Sequence, residues 1–201
     1  MTMRIVLAGL LGGIAMFMWM SLAHVVLPLG EIGVQEIQNE PAVLSAMHAS
    51  LGEKSGLFVF PTTGTGPDAT SQQKNAAMQH YDEQLAANPS GLLIYHPPGE
   101  TGMTARRLVT ELLTELLEAF LVVFLLAQTR IESFAGRLVF VTIAGVVASL
   151  PTNVSYWNWY GFPTNYTSVY ILTQIVGFVC VGVVAGAVMR KTAPQRVAAA
   201  A

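Results

Sequence analysis

The segment Leu108-Val109-Thr110-Glu111-Leu112-Leu113-Thr114-Glu115-Leu116-Leu117-Glu118-Ala119-Phe120-Leu121-Val122-Val123-Phe124-Leu125-Leu126 decides how this sequence folds. Glutamates 111, 115 and 118 are spaced i, i+4, i+7, so on a helix they form one stripe, with Arg107 one turn before it. The same segment holds thirteen Leu, Val and Phe residues. On membrane-insertion scales these return about 0.3–0.6 kcal/mol each, about 4–8 kcal/mol together, whereas a carboxylate near the bilayer centre costs about 2.5–3.5 kcal/mol. The helix can insert, but three ionised carboxylates cancel most of the gain. The acidic stripe therefore has to face other helices, water or a bound cation rather than lipid.

Three further segments are long and apolar. One runs from about Ile5 to Pro28 and holds no Asp, Glu, Lys or Arg; one covers about Leu138 to Leu150, starting near Phe134; one runs from about Ser168 to Met189. A spanning helix needs about 20 such residues. Composition agrees: of 201 residues, 53% are hydrophobic and 11% charged, against about a quarter charged in ordinary soluble domains. A soluble enzyme is thereby disfavoured. The net charge of −2 leaves no basic face for nucleic acid, and the single Cys180 excludes an internal disulfide framework or a multi-cysteine metal site.

The expected fold is a mainly α membrane protein, a four-transmembrane-helix bundle with a small α+β extracytoplasmic domain inserted between helices 1 and 2. Residues 1–29 form the first transmembrane helix, and 30–105 the inserted domain. Residues 106–190 form helices 2–4 with an aromatic outer loop at 151–166, and 191–201 a basic, then Ala-rich, disordered cytoplasmic tail. Four crossings put Arg4, Arg130, Arg137, Arg190, Lys191 and Arg196 on one side, against Lys54, Lys74, Arg106 and Arg107 on the other. The excess of positive charge marks the cytoplasmic side. Both termini are then cytoplasmic, in an inner membrane, with residues of about 30–105 outside. Ser21-Leu22-Ala23 resembles a signal-peptide cleavage site, but the apolar run continues past it, which favours an uncleaved anchor.

Within 30–105, Pro41 and Gly52 bracket a helical run. Ser71 to Asn88 reads as a polar helix closed by Pro89. Ser55-Gly56-Leu57-Phe58-Val59-Phe60 is echoed by Ser90-Gly91-Leu92-Leu93-Ile94-Tyr95. The echo predicts two strands of one small sheet.

The candidate site is an intramembrane polar or ion site of Glu111, Glu115, Glu118, His24 and Gln174, with Glu118 near the middle of the membrane and His24 at a depth close to Glu115. Asn153, Tyr166 and Tyr170 are further candidates to converge with them. A metal held by His24, Glu115 and Glu118 is chemically suitable, although the sequence carries no dedicated metal motif. Tyr156, Trp157, Trp159 and Tyr160 form an aromatic platform at the outer interface, to cap the glutamates or bind a lipid or quinone-like ring. Gly9 with Gly13, and Gly182 with Gly186, are small-xxx-small pairs. They predict contact between the first and fourth spans near the cytoplasmic side, or else homodimerisation.

His48, His80 and His96 lack metal-ligand spacing, and no phosphate-binding glycine loop, zinc-protease helix motif or nucleophile elbow is present. The expected function is an integral inner-membrane protein without catalytic motif, an accessory or scaffold subunit whose buried polar cluster fixes helix packing. The alternatives are a small proton- or cation-coupled transporter using the glutamates, and a metal- or redox-binding protein centred on His24. The sequence names no cofactor. The expected partners are the lipid bilayer and other membrane subunits or a second copy.

Overall fold

Apolar runs ended by Pro, Gly and polar clusters dictate a mostly helical chain. The computed structural model describes residues 3–66, 68–99 and 102–190; the basic, Ala-rich tail lies outside them. The elements are α1 (Met3–Ser21), α2 (Glu40–Leu51), β1 (Gly56–Phe60), α3 (Ser71–Ala87), β2 (Gly91–Tyr95), α4 (Ala105–Ala127), α5 (Phe134–Tyr160) and α6 (Thr164–Val188). A single π-helical turn, Leu22–Val26, prolongs α1. Three helical stretches are long and apolar enough to cross a membrane: Met3–Val26, Phe134–Tyr160 and Thr164–Val188. Helix α4 is 23 residues long but carries its three glutamates within the apolar run.

The chain divides into two compact units. The first holds residues 1–34, 103–158 and 162–201, the second 35–102 and 159–161.

In the first unit α1 packs along both α4 and α6. It runs antiparallel to each of them. Gly9 meets Phe120 and Gly13 meets Leu116 across α1–α4, and Gly12 meets Val181 across α1–α6. Trp19 Nε1 donates to the Thr173 carbonyl at 2.8 Å. Across α5–α6, Phe134 lies against Gly186, Val141 against Gly182 and Phe178 against Gly145. The apolar core is built from Ala8, Met16, Ala119, Val123, Val141, Phe178 and Val181. The starts of α1 and α5 and the ends of α4 and α6 therefore share one end of the bundle.

The glycines do not pair as the sequence predicts. Helices α1 and α6 do touch, but through Gly12 and Gly177, the latter against Met16 and Trp19. Gly9 and Gly13 face α4, and Gly182 and Gly186 face α5. Successive glycines in Gly12-Gly13 point about 100° apart on a helix, so one helix can offer close approach to two neighbours at once.

The expected aromatic loop at 151–166 is largely helical. Helix α5 continues through Pro151 to Tyr160, and only residues 161–163 connect it to α6, with Gly161 at φ 70°. Proline cannot donate to the carbonyl four residues back, but membrane helices tolerate it when nearby side chains satisfy the backbone. The carbonyl left without its helical donor is that of Val147; side chains bond two nearby carbonyls instead, the Ser149 hydroxyl donating to Val146 at 3.1 Å and Asn153 Nδ2 to Ser149 at 2.7 Å.

In the second unit the echoed segments pair antiparallel, from Gly56 opposite Tyr95 to Phe60 opposite Gly91. Helix α3 starts with a capping box: Thr70 Oγ accepts from the Gln73 amide while the Gln73 side chain accepts from the Thr70 amide. Tyr95 is the one buried residue among those described in this unit. Its hydroxyl donates to the Gly52 carbonyl at 3.0 Å, and its ring meets Phe58 edge-on.

Candidate functional site

Helix α4 presents Glu115, Ala119, Val122, Val123 and Leu126 as its buried face. These positions follow the 3.6-residue period of a packed helix stripe, so Glu115 occupies a place where an apolar side chain is the norm. It is 3% exposed. Gly13 makes the burial possible: a Cβ at that position would lie 2.7 Å from the Leu116 Cα and 3.2 Å from the Glu115 carbonyl oxygen. The two backbones approach too closely for any larger residue, at the level of Glu115.

Both carboxyl oxygens of Glu115 are buried and have no hydrogen-bond partner among the described residues. Glu111 and Glu118 lie close enough for their charges to act on it. The three glutamates differ in exposure. Glu111 is exposed, Glu118 is half-buried at the edge of the packed face, and Glu115 is enclosed.

Depth differs from the expectation. Glu115 lies level with Gly13, near the midpoint of the Met3–Val26 stretch. His24 lies eleven residues further along that stretch, about 16 Å from that level at ~1.5 Å per residue. His24 Nδ1 instead bonds the Met20 carbonyl at 2.9 Å, and its ring meets Tyr170 edge-on at 6.5 Å.

Gln174 is also elsewhere. Its Oε1 accepts from Asn153 Nδ2 at 3.3 Å, tying α6 to α5. The polar residues thus occupy three places rather than one pocket: the carboxyl at α1–α4, the amide pair at α5–α6, and the imidazole above α1. Among the described residues no three His, Cys, Asp or Glu side chains are grouped to hold a metal ion, so the metal reading centred on His24 has no ligand set.

The aromatic platform is divided. Tyr156 stacks on Phe162 at 5.3 Å, Phe162 tilts against Tyr166 at 5.8 Å, and Tyr166 stacks on Tyr170 at 5.8 Å. With His24 these rings form a ladder along the first unit. Trp157 Nε1 donates to Thr164 Oγ1 at 3.0 Å, bracing the α5–α6 connection. Trp159 and Tyr160 group with the second unit and are exposed. The i, i+4 spacing of Tyr166 and Tyr170 was the sequence signal for the ladder.

In the sequence Arg137 marks only the side of the membrane. It is 5% exposed. No family model, curated protein or solved structure matches this chain.

Proposed function

We propose that this chain is a four-span integral membrane protein that takes up a proton or small cation at Glu115, between its first span and its acidic span. The observation that carries the reading is the carboxyl group of Glu115, enclosed by protein with neither oxygen hydrogen-bonded among the described residues. A buried carboxyl without a partner is costly as an anion. Such a group inside a membrane helix commonly marks an ion path or proton relay. The neighbouring half-buried Glu118 and exposed Glu111 supply a graded acidic route along the same helix.

The threading supports this reading. Helix α4, at about 1.5 Å per residue, is about 34 Å long, enough to cross a hydrocarbon core of about 30 Å, and it packs along α1. Arg4, Arg130 and Arg137 line one end of the bundle, and by the positive-inside rule that end is cytoplasmic. Both ends of the span region then face the cytoplasm, and the segment of about 30–105 lies outside an inner membrane.

The test is reconstitution of the purified chain into liposomes enclosing a pH-sensitive dye, under an imposed proton gradient. The wild type is expected to dissipate the gradient faster than protein-free liposomes. Glu115→Gln should slow this at least tenfold with unchanged thermal stability, whereas Glu111→Gln retains most of it. A wild-type rate equal to that of empty liposomes, or an undiminished rate in Glu115→Gln, overturns the proposal. A fixed partner co-purifying after mild detergent extraction would, in that event, carry the accessory-subunit reading instead.

A further inference from the structure

At the end of the bundle opposite His24, the start of α1, the α4–α5 connection and the end of α6 enclose a cleft of about 410 Å³. Three arginines line it, Arg4, Arg130 and Arg137, with a single carboxylate, Glu132. Its remaining wall is apolar, with Leu126 and Met189. Arg4 is already engaged, donating from Nη1 to the Arg190 carbonyl at 2.6 Å, and Arg190 rests over the Phe134 ring at 5.4 Å.

Arg137 is the unusual member. A guanidinium carries five N–H donors and stays charged. Its Nε donates to the Ile131 carbonyl at 3.2 Å, but Nη1 is buried with no partner among the described residues. A buried cation with an unused donor is costly unless an acceptor reaches it. The nearby Thr129 hydroxyl is engaged elsewhere, donating to the Leu126 carbonyl at 2.8 Å and accepting from the Ile131 amide at 3.2 Å.

We infer that this cleft binds a phosphate group, with Arg137 as the buried anchor and Arg130 at the mouth. Guanidinium groups match phosphate oxygens in a forked geometry that a lysine ammonium does not reproduce. A basic recess between helix ends, half walled by apolar side chains, fits the headgroup phosphate of an anionic phospholipid whose acyl chains run beside the bundle. Inorganic phosphate presents the same oxygens without the chains. The lipid form rests on the membrane threading proposed above; the phosphate chemistry does not.

The experiment measures thermal stabilisation of the full chain in a neutral maltoside detergent, titrated separately with short-chain phosphatidylglycerol, short-chain phosphatidylcholine and inorganic phosphate. Phosphatidylglycerol is expected to raise Tm saturably. A matching rise with inorganic phosphate assigns the site to phosphate itself, and no rise with it assigns the site to the lipid. Arg137→Lys, which keeps the charge, and Arg130→Gln, at an exposed position that folding does not require, should each weaken the apparent affinity about tenfold. Equal rises with phosphatidylglycerol and phosphatidylcholine that Arg130→Gln leaves unchanged, no rise with either phosphatidylglycerol or phosphate, or full affinity in Arg130→Gln overturns the inference, whether or not Arg137→Lys folds. None of these outcomes depends on proton movement through Glu115, so the two proposals fail separately.

Discussion

The α1–α4 and α5–α6 contacts are both antiparallel helix pairs drawn together by glycine, yet they use it differently. At α5–α6 the glycines are sockets for apolar side chains: Phe178 fills the space at Gly145, Phe134 that at Gly186. At α1–α4, Gly13 admits the backbone of the neighbouring helix itself, with the Leu116 Cα in the place a Cβ would need. Lipid tails are as apolar as leucine, so packing rather than hydrophobic expulsion holds such pairs. A socket yields an apolar seam. A backbone approach can close over an ionisable group, and here it lies level with the buried Glu115.

The same substitution on both sides tests this difference. Gly13→Ala forces two backbones apart and is expected to cost about 2–3 kcal/mol, whereas Gly186→Ala, whose new methyl meets only the Phe134 side chain, should cost about 1 kcal/mol. Reversible unfolding in mixed micelles measures both, and equal costs would erase the distinction. Glu115→Leu works in the opposite direction. Removing a buried carboxyl without a partner should stabilise the fold by about 2 kcal/mol while abolishing any proton uptake. A loss of stability would mean that the carboxyl has a partner holding the two helices together.

Smaller effects sharpen the contrast. Thr70→Ala removes the capping box of α3 and should cost about 1 kcal/mol. Because this lies in the second unit, hydrogen exchange should report it in α3 and leave α1 and α4 unchanged. Asn153→Leu breaks the amide pair with Gln174 at α5–α6, with an expected cost of about 0.5–1.5 kcal/mol, and it should leave proton uptake intact. Loss of uptake in that variant would join two sites that the geometry separates.

Much of the fold was legible because it follows local patterns. The spans show as apolar length. The echoed Gly56–Phe60 and Gly91–Tyr95 segments show as β-prone runs, and they pair with each other. The outer loop expected from residue 151 onward is instead the end of α5, because a helix already several turns long carries on through Pro151 at the loss of one backbone hydrogen bond. The glycine partners were illegible for a different reason. Gly9, Gly13, Gly182 and Gly186 announce close approach, but only the order of helices around the bundle decides what approaches.

The expected convergence of His24, Gln174 and the glutamates failed on register. Equal distance from a helix end does not give equal depth when one chain adds a π-helical turn and the other begins at residue 105. Arg137 escaped notice because its value lies in an unfilled donor, which a sequence does not display.

The hydrogen bond between His24 and Met20 settles which edge of that imidazole is free to react. A carbonyl oxygen only accepts, so Nδ1 must hold its hydrogen, and Nε2 alone is left for exchange or acylation. Gly30 borders that edge, since a methyl group there would sit 2.7 Å from the ring's Cδ2. An acylating reagent such as diethyl pyrocarbonate should therefore mark this histidine at a single nitrogen, and Gly30→Val should shut the reagent out.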